Sequence, residues 1–85
     1  QVGRTFPLRG DETTIGRTSD NVIALNDPDV SSHHARIVTR EALHYLLDTT
    51  STNGTHVNGC RIVEVKLTKG DVVLLGSTAL VYESA

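Results

Sequence analysis

Ser51-Thr52-Asn53-Gly54-Thr55-His56-Val57-Asn58-Gly59 holds two Asn-Gly pairs around a short β-prone piece. An Asn-Gly pair flanked by strand formers is the strongest short-range signal for a tight turn. Both turn positions take a positive φ, which these two residues tolerate best. With the Ser-Thr pair ahead of it, the stretch reads as a compact loop edge. It is rich in hydroxyl, carboxamide and backbone N–H groups, and such groups bind anions and peptide backbone.

Working outward, turn signals recur every few residues and no segment carries a helical period. Residues Gln1 to Arg9 read as a strand with apolar bulk at Phe6 and Leu8, at a sheet edge because Pro7 has no N–H. Thr13-Thr14-Ile15 is a second strand running into Gly16-Arg17, and Val22 to Leu25 is a third. Asn26-Asp27-Pro28-Asp29 is a loop. Ala35 to Thr39 alternates as a half-buried strand does, and in Leu43 to Asp48 the residues Leu43, Tyr45 and Leu47 share one face. Arg61-Ile62, Val65 to Leu67, Val72 to Leu75 and Thr78 to Glu83 complete an all-β pattern, a sandwich or barrel of about ten short strands.

Eighty-five residues make one domain near the lower size limit for a self-sufficient core. With aromatics at 4%, that core must be built from Val, Ile and Leu. The single cysteine, Cys60, forms no intramolecular disulfide, which suits a reducing compartment. No apolar run approaches the ~20 residues of a membrane span, and no signal peptide is evident. Asn53-Gly54-Thr55 matches a glycosylation sequon, read here as a turn. The net charge of −2 argues against a nucleic-acid-binding face and requires any anion site to be local. A chain that stops with its last strand is expected to be a module excised from a larger protein.

Three strand-joining loops carry the chemistry: Gly16-Arg17, Ser31-Ser32-His33-His34 and Thr52-Asn53-Gly54. Loops at one end of a sandwich cluster in space. Gathered together, they would supply a guanidinium, hydroxyls and turn N–H groups, the inventory for a phosphate dianion with its three acceptor oxygens. Arg17 would bring charge and a fork of donors; Ser31 and Thr52 would donate O–H bonds.

In order and spacing, Gly16-Arg17, Ser31 to Ala35, Ser51 to Thr55 and Val57-Asn58-Gly59 resemble the forkhead-associated (FHA) domain, over about Thr5 to Tyr82. The resemblance implies a two-sheet β-sandwich, without catalytic activity or cofactor, that recognises phosphothreonine in an extended peptide. It implies a signalling role, docking a parent protein onto targets of a Ser/Thr protein kinase, in the cytoplasm or, in a eukaryote, the nucleus. Neither nucleic acid nor membrane is an expected partner. By this likeness Arg17, Ser31 and Thr52 contact phosphate, with Ser32 beside them. Asn53 bonds the peptide main chain, and Asn58 helps hold the peptide or the loop. Gly16, His34, Gly54 and Gly59 form the framework of the site. Loops such as Thr18 to Asn21 and Asp27 to Val30 would read the flanking residues.

The chain departs from the family pattern twice. Ser32 stands where many members carry Arg, Lys or Asn, so it can donate one bond but adds no cation. The strand that usually precedes Thr5 to Leu8 would have only Gln1 to Arg4 to form it, so the family's first strand is expected to be lacking and a sheet edge left open.

Other readings stand beside this one. A phosphate-independent assembly domain acting through a sheet edge is the alternative. A hydrolytic triad of Ser31, His34 and Asp48 would need a nucleophile elbow and an oxyanion hole that the sequence lacks. The histidines 33, 34, 44 and 56 show no metal-ligand spacing, so no metal is expected.

Overall fold

The computed structural model describes residues 5–83. Among them are nine strands and no helix: β1 (Glu12–Gly16), β2 (Ile23–Ala24), β3 (Ala35–Arg40), β4 (Leu43–Asp48), β5 (Thr55–Val57), β6 (Cys60–Ile62), β7 (Glu64–Lys66), β8 (Val72–Leu75) and β9 (Thr78–Val81). They form a five-stranded sheet, β2-β1-β3-β4-β7, and a four-stranded sheet, β6-β5-β8-β9. Every pair is antiparallel except β1–β2. The strand expected over Gln1 to Arg9 does not form over residues 5–9. With Pro7 unable to donate, this segment instead packs half-buried Phe6 and Leu8 against the core. The region expected to lack a preceding strand, Gln1 to Arg4, lies outside the described residues.

Turn chemistry sets the hairpins. Asn58 (φ 52°) and Gly59 (φ 86°) make the two-residue turn between β5 and β6, with Val57 opposite Cys60. The other Asn-Gly pair is different: Gly54 has φ 85° but Asn53 keeps a negative φ, and the pair leads the chain into β5 rather than closing a hairpin. The β3–β4 turn carries left-handed backbone at Glu41 (φ 52°) and Ala42 (φ 67°), neither a residue that favours it.

The two sheets face each other across an aliphatic core. Ile15, Ile37 and Leu46 come from the larger sheet, Val57, Val73 and Leu75 from the smaller. Leu46 and Leu75 are completely buried, each contributing about 1.5–3 kcal/mol over an exposed position. On β4 the inward face is that of Leu46. The shared face of Leu43, Tyr45 and Leu47 points outward, where the Arg40 guanidinium lies 5.1 Å from the Tyr45 ring centre. Between β6 and β7 the chain changes sheets at Val63, whose carbonyl accepts the Asp48 N–H. No helix in the described residues is long and apolar enough to cross a membrane.

Candidate functional site

Three loops meet at Ser31. Its carbonyl accepts the Arg17 N–H at 3.0 Å, and its hydroxyl oxygen accepts the Thr52 N–H at 3.1 Å. Arg17 is fixed a second time by its side chain, where Nε donates to Val30 O at 3.0 Å. The two Nη groups have no partner among the described residues and are exposed. Because Ser31 Oγ is an acceptor in its bond to Thr52, its own proton remains to be donated elsewhere. The hydroxyls of Ser32 and Thr52 are likewise unpaired among the described residues, as is the Ser32 N–H. The arrangement offers a guanidinium edge, three hydroxyls and a backbone amide on one rim.

The loops are braced from below by His34, which is fully buried. Its Nδ1 accepts the Ser31 N–H at 3.0 Å, which puts the ring proton on Nε2, and Nε2 donates to Gly54 O at 2.9 Å. One imidazole thus ties the Ser31 loop to the Thr52-Asn53-Gly54 loop without reaching the surface. Gly16 closes the third side: a methyl there would lie 2.1 Å from Ser32 O. Asn53 donates Nδ2 to Asp29 O at 2.9 Å, joining the 26–31 loop to the rim.

Asn58 and Gly59 do not join this cluster. They sit beyond the other end of β5, about 13 Å along the strand from Gly54. The Asn58 side chain is spent there, donating to Asp71 Oδ1 at 2.9 Å and accepting the Val72 N–H at 3.0 Å. Its role, and that of Gly59, is to shape the β5–β6 turn and tie it to β8. Nor do Ser31, His34 and Asp48 form a hydrogen-bonded triad. His34 takes the Ser31 backbone N–H, while Asp48 accepts from Ser51 and Thr55. No cluster of His, Cys, Asp and Glu able to hold a metal occurs among the described residues.

The FHA domain model matches residues 13–76. The chain belongs to the FHA domain family. FhaA of Mycobacterium tuberculosis is 39% identical over 79 residues, 93% of this chain and 15% of that protein. A domain solved in a structural and functional analysis of phosphothreonine-dependent FHA domain interactions superposes with a TM-score of 0.94 at 37% identity, covering 99% of this chain and 88% of that one. Mycobacterium tuberculosis EmbR, solved in complex with a low-affinity phosphopeptide, gives 0.93 at 37% identity, over 96% of this chain and 22% of that one. This FHA domain therefore spans only a small part of relatives such as FhaA.

Several supports of these three loops carry no signal in the sequence. Asn21 is buried, and its Nδ2 donates to Ser32 O (2.8 Å) and Thr18 O (2.9 Å), folding the 17–22 loop back onto the Ser31 loop. Asp27 accepts the Ser77 N–H and the Thr78 hydroxyl, anchoring the 26–31 loop on the β8–β9 turn; the Thr78 bond leads in holding its carboxyl below the usual range. Burial pushes the Asp48 carboxyl up, but hydrogen bonds from the Ser51 and Thr55 hydroxyls and the Ser51 N–H outweigh it, and the net shift is downward. Asp20 is held down at about 2 by the Thr18 hydroxyl and by His33, whose Nε2 lies 2.7 Å from Asp20 Oδ2. The bonds of Asn21 to Ser32, Asp27 to Ser77 and Thr78, and Asp20 to His33 join residues 11 to 51 positions apart, and nothing in local pattern announces them.

Proposed function

We propose that this FHA domain is a non-catalytic phosphothreonine-peptide recognition module that docks its parent protein onto partners phosphorylated by Ser/Thr kinases. The observation that carries the reading is the state of Arg17. Its Nε is pinned to Val30 O beside Ser31, and both Nη groups are left without a partner among the described residues, on an exposed side chain. A guanidinium held in this way loses little side-chain freedom on meeting an anion, and its free fork suits two phosphate oxygens. Arg17, Ser31 and Thr52 would hold the phosphate, with Ser32 adding its hydroxyl and N–H in place of a second cation. The Asn53 carboxamide, placed on the same rim, would bond the peptide main chain. Phosphothreonine is favoured over phosphoserine if the methyl is covered, an effect of about 1 kcal/mol.

The solved relatives support the reading by what they were studied with: phosphothreonine-dependent interactions, and a phosphopeptide complex for EmbR. The module is read as part of a longer protein acting in the cytoplasm, which agrees with its lone, exposed, unpaired Cys60. A second reading, phosphate-independent assembly, is favoured by a different surface. Val72, Leu74 and Val81 are exposed on the outer face of β8 and β9, and among the described residues β9 is a sheet edge.

One titration separates the two. A peptide carrying threonine, phosphoserine or phosphothreonine is measured by calorimetry against wild type and Arg17→Ala. The expected order is phosphothreonine tightest and unmodified threonine not bound, with a loss of about 1.5–3 kcal/mol for Arg17→Ala. Equal affinity for the unmodified peptide transfers the argument to the assembly surface.

A further inference from the structure

A second guanidinium stands beside the Asn53 loop. Arg61 lies on β6 opposite His56, exposed, and its head group covers one side of Gly54. A methyl on Gly54 would sit 2.8 Å from Arg61 Nε and 3.0 Å from Cζ. On its carbonyl, Gly54 is gripped by His34 Nε2 at 2.9 Å, so the peptide unit under Arg61 is itself fixed. Asn53 is the adjacent residue, one Cα step of about 3.8 Å away. A charge packed on Gly54 therefore lies within about one Debye length, ~8 Å, of a ligand held there.

Among the described residues Arg61 also differs from Arg36, Arg40 and His33 in being unpaired. Arg36 is bound to Glu12 at 2.8 Å, Arg40 to Glu64 at 2.9 Å, and His33 to Asp20 at 2.7 Å. Arg61 has no carboxylate or hydrogen-bond acceptor among the described residues, although five N–H donors are available. The carboxylates of the surrounding loops are engaged elsewhere: Asp20 with Thr18 and His33, Asp29 with the Ser77 hydroxyl, and Asp48 with Ser51 and Thr55. Arg61 is thus left as a free cation, among the described residues, on the side of the β5–β6 hairpin.

We propose that Arg61 is a specificity-determining residue of the peptide site, reading an acidic side chain, Asp or Glu, that flanks the phosphothreonine on the side of the β5–β6 hairpin. The inference rests on the phosphopeptide reading above. An extended ligand advances about 3.3 Å per residue, so the carboxylate reached by Arg61 lies about one to three positions from the phosphothreonine. Arg17 then recognises the modification, and Arg61 selects among modified sequences.

The test is a glutamate walk. A phosphothreonine peptide with alanine flanks, and variants bearing one Glu at each flanking position out to three residues on either side, are titrated against wild type, Arg61→Gln and Arg17→Ala. In wild type, glutamate at one position is expected to tighten binding about three- to fivefold, less so at high salt. In Arg61→Gln that gain is expected to vanish while the alanine-flanked peptide binds as to wild type. A flat walk in wild type, or a gain that survives in Arg61→Gln, overturns the proposal. So does an Arg61→Gln variant that binds every peptide equally weakly, since the side chain then only supports Gly54. The phosphopeptide reading fails separately, by wild type binding unmodified and phosphorylated peptides alike or by Arg17→Ala leaving affinity unchanged.

Discussion

Gly16→Ala isolates the contact on which the meeting of loops depends. Gly16 does not have a positive φ, so alanine meets no backbone penalty and the effect is steric. The new methyl would lie 2.1 Å from Ser32 O, 2.8 Å from Ser32 C and 2.7 Å from Asn21 Nδ2, where ordinary contact begins near 3.4 Å. The obstruction is largely backbone, so no rotamer relieves it, and the Ser32 carbonyl must retreat by more than an ångström. That carbonyl accepts Asn21 Nδ2 at 2.8 Å and Thr18 Oγ1 at 3.1 Å, bonds of about 1 kcal/mol each that stretch or break. Overpacking adds about 1–3 kcal/mol. With the two bonds weakened by about half rather than lost, the total is about 2–4 kcal/mol, a large share of the stability of a domain this size. The melting temperature should fall by about 10–25 °C, followed by circular dichroism. Because Ser31 precedes the displaced carbonyl, affinity for a phosphothreonine peptide, measured well below the melting temperature, should fall at least about tenfold. A variant that melts within about 3 °C of wild type and binds equally well would show that Gly16 is not a closure point.

His34→Ala should cost about 3–5 kcal/mol in urea unfolding, since it leaves the Ser31 N–H and Gly54 O unpaired beside a cavity; a loss under about 1 kcal/mol would contradict the bridge. Ala42→Gly should raise the melting temperature by about 3–6 °C, because glycine accepts the left-handed backbone (φ 67°) that costs alanine about 1 kcal/mol; a decrease would count against the turn. The carboxyls of Asp20, Asp27, Asp48 and Asp71 all titrate below their ordinary value of 3.8 in the folded protein, so on the acid side the unfolded chain binds more protons. Their contribution is complete above about pH 4 and is lost as pH falls through the folded values. The melting temperature should accordingly drop as pH falls below about 4, with a shallower drop in Asp48→Asn.

Local chemistry was enough for much of the architecture. The alternation in Ala35 to Thr39 and Val72 to Leu75 announces strands because a pleated chain half-buried in a small domain must alternate. Asn58-Gly59 announces its turn because few residue pairs accept two positive φ values in succession. The same signal misleads at Asn53-Gly54, where only the glycine takes the left-handed backbone, because the loop is held from outside by His34 and Asp29. It misleads again at Asn58, whose turn is real but whose side chain faces Asp71 and β8.

Strand propensity over Thr5 to Leu8 gave an irregular segment that packs Phe6 and Leu8 on the core, and the face of β4 that turns inward was set by which side the second sheet covers. The residue types of the proposed phosphate rim, Arg17, Ser31, Ser32 and Thr52, were thus legible in the sequence, since each belongs to a short motif whose chemistry is its own. The fold alone decided that the Ser31 loop receives both Arg17 and Thr52, that Asn21 and Asp27 pin the loops behind it, and that Arg61 lies on Gly54. Those contacts join residues far apart along the chain, and their geometry follows from how two sheets pack rather than from any preference of the residues concerned.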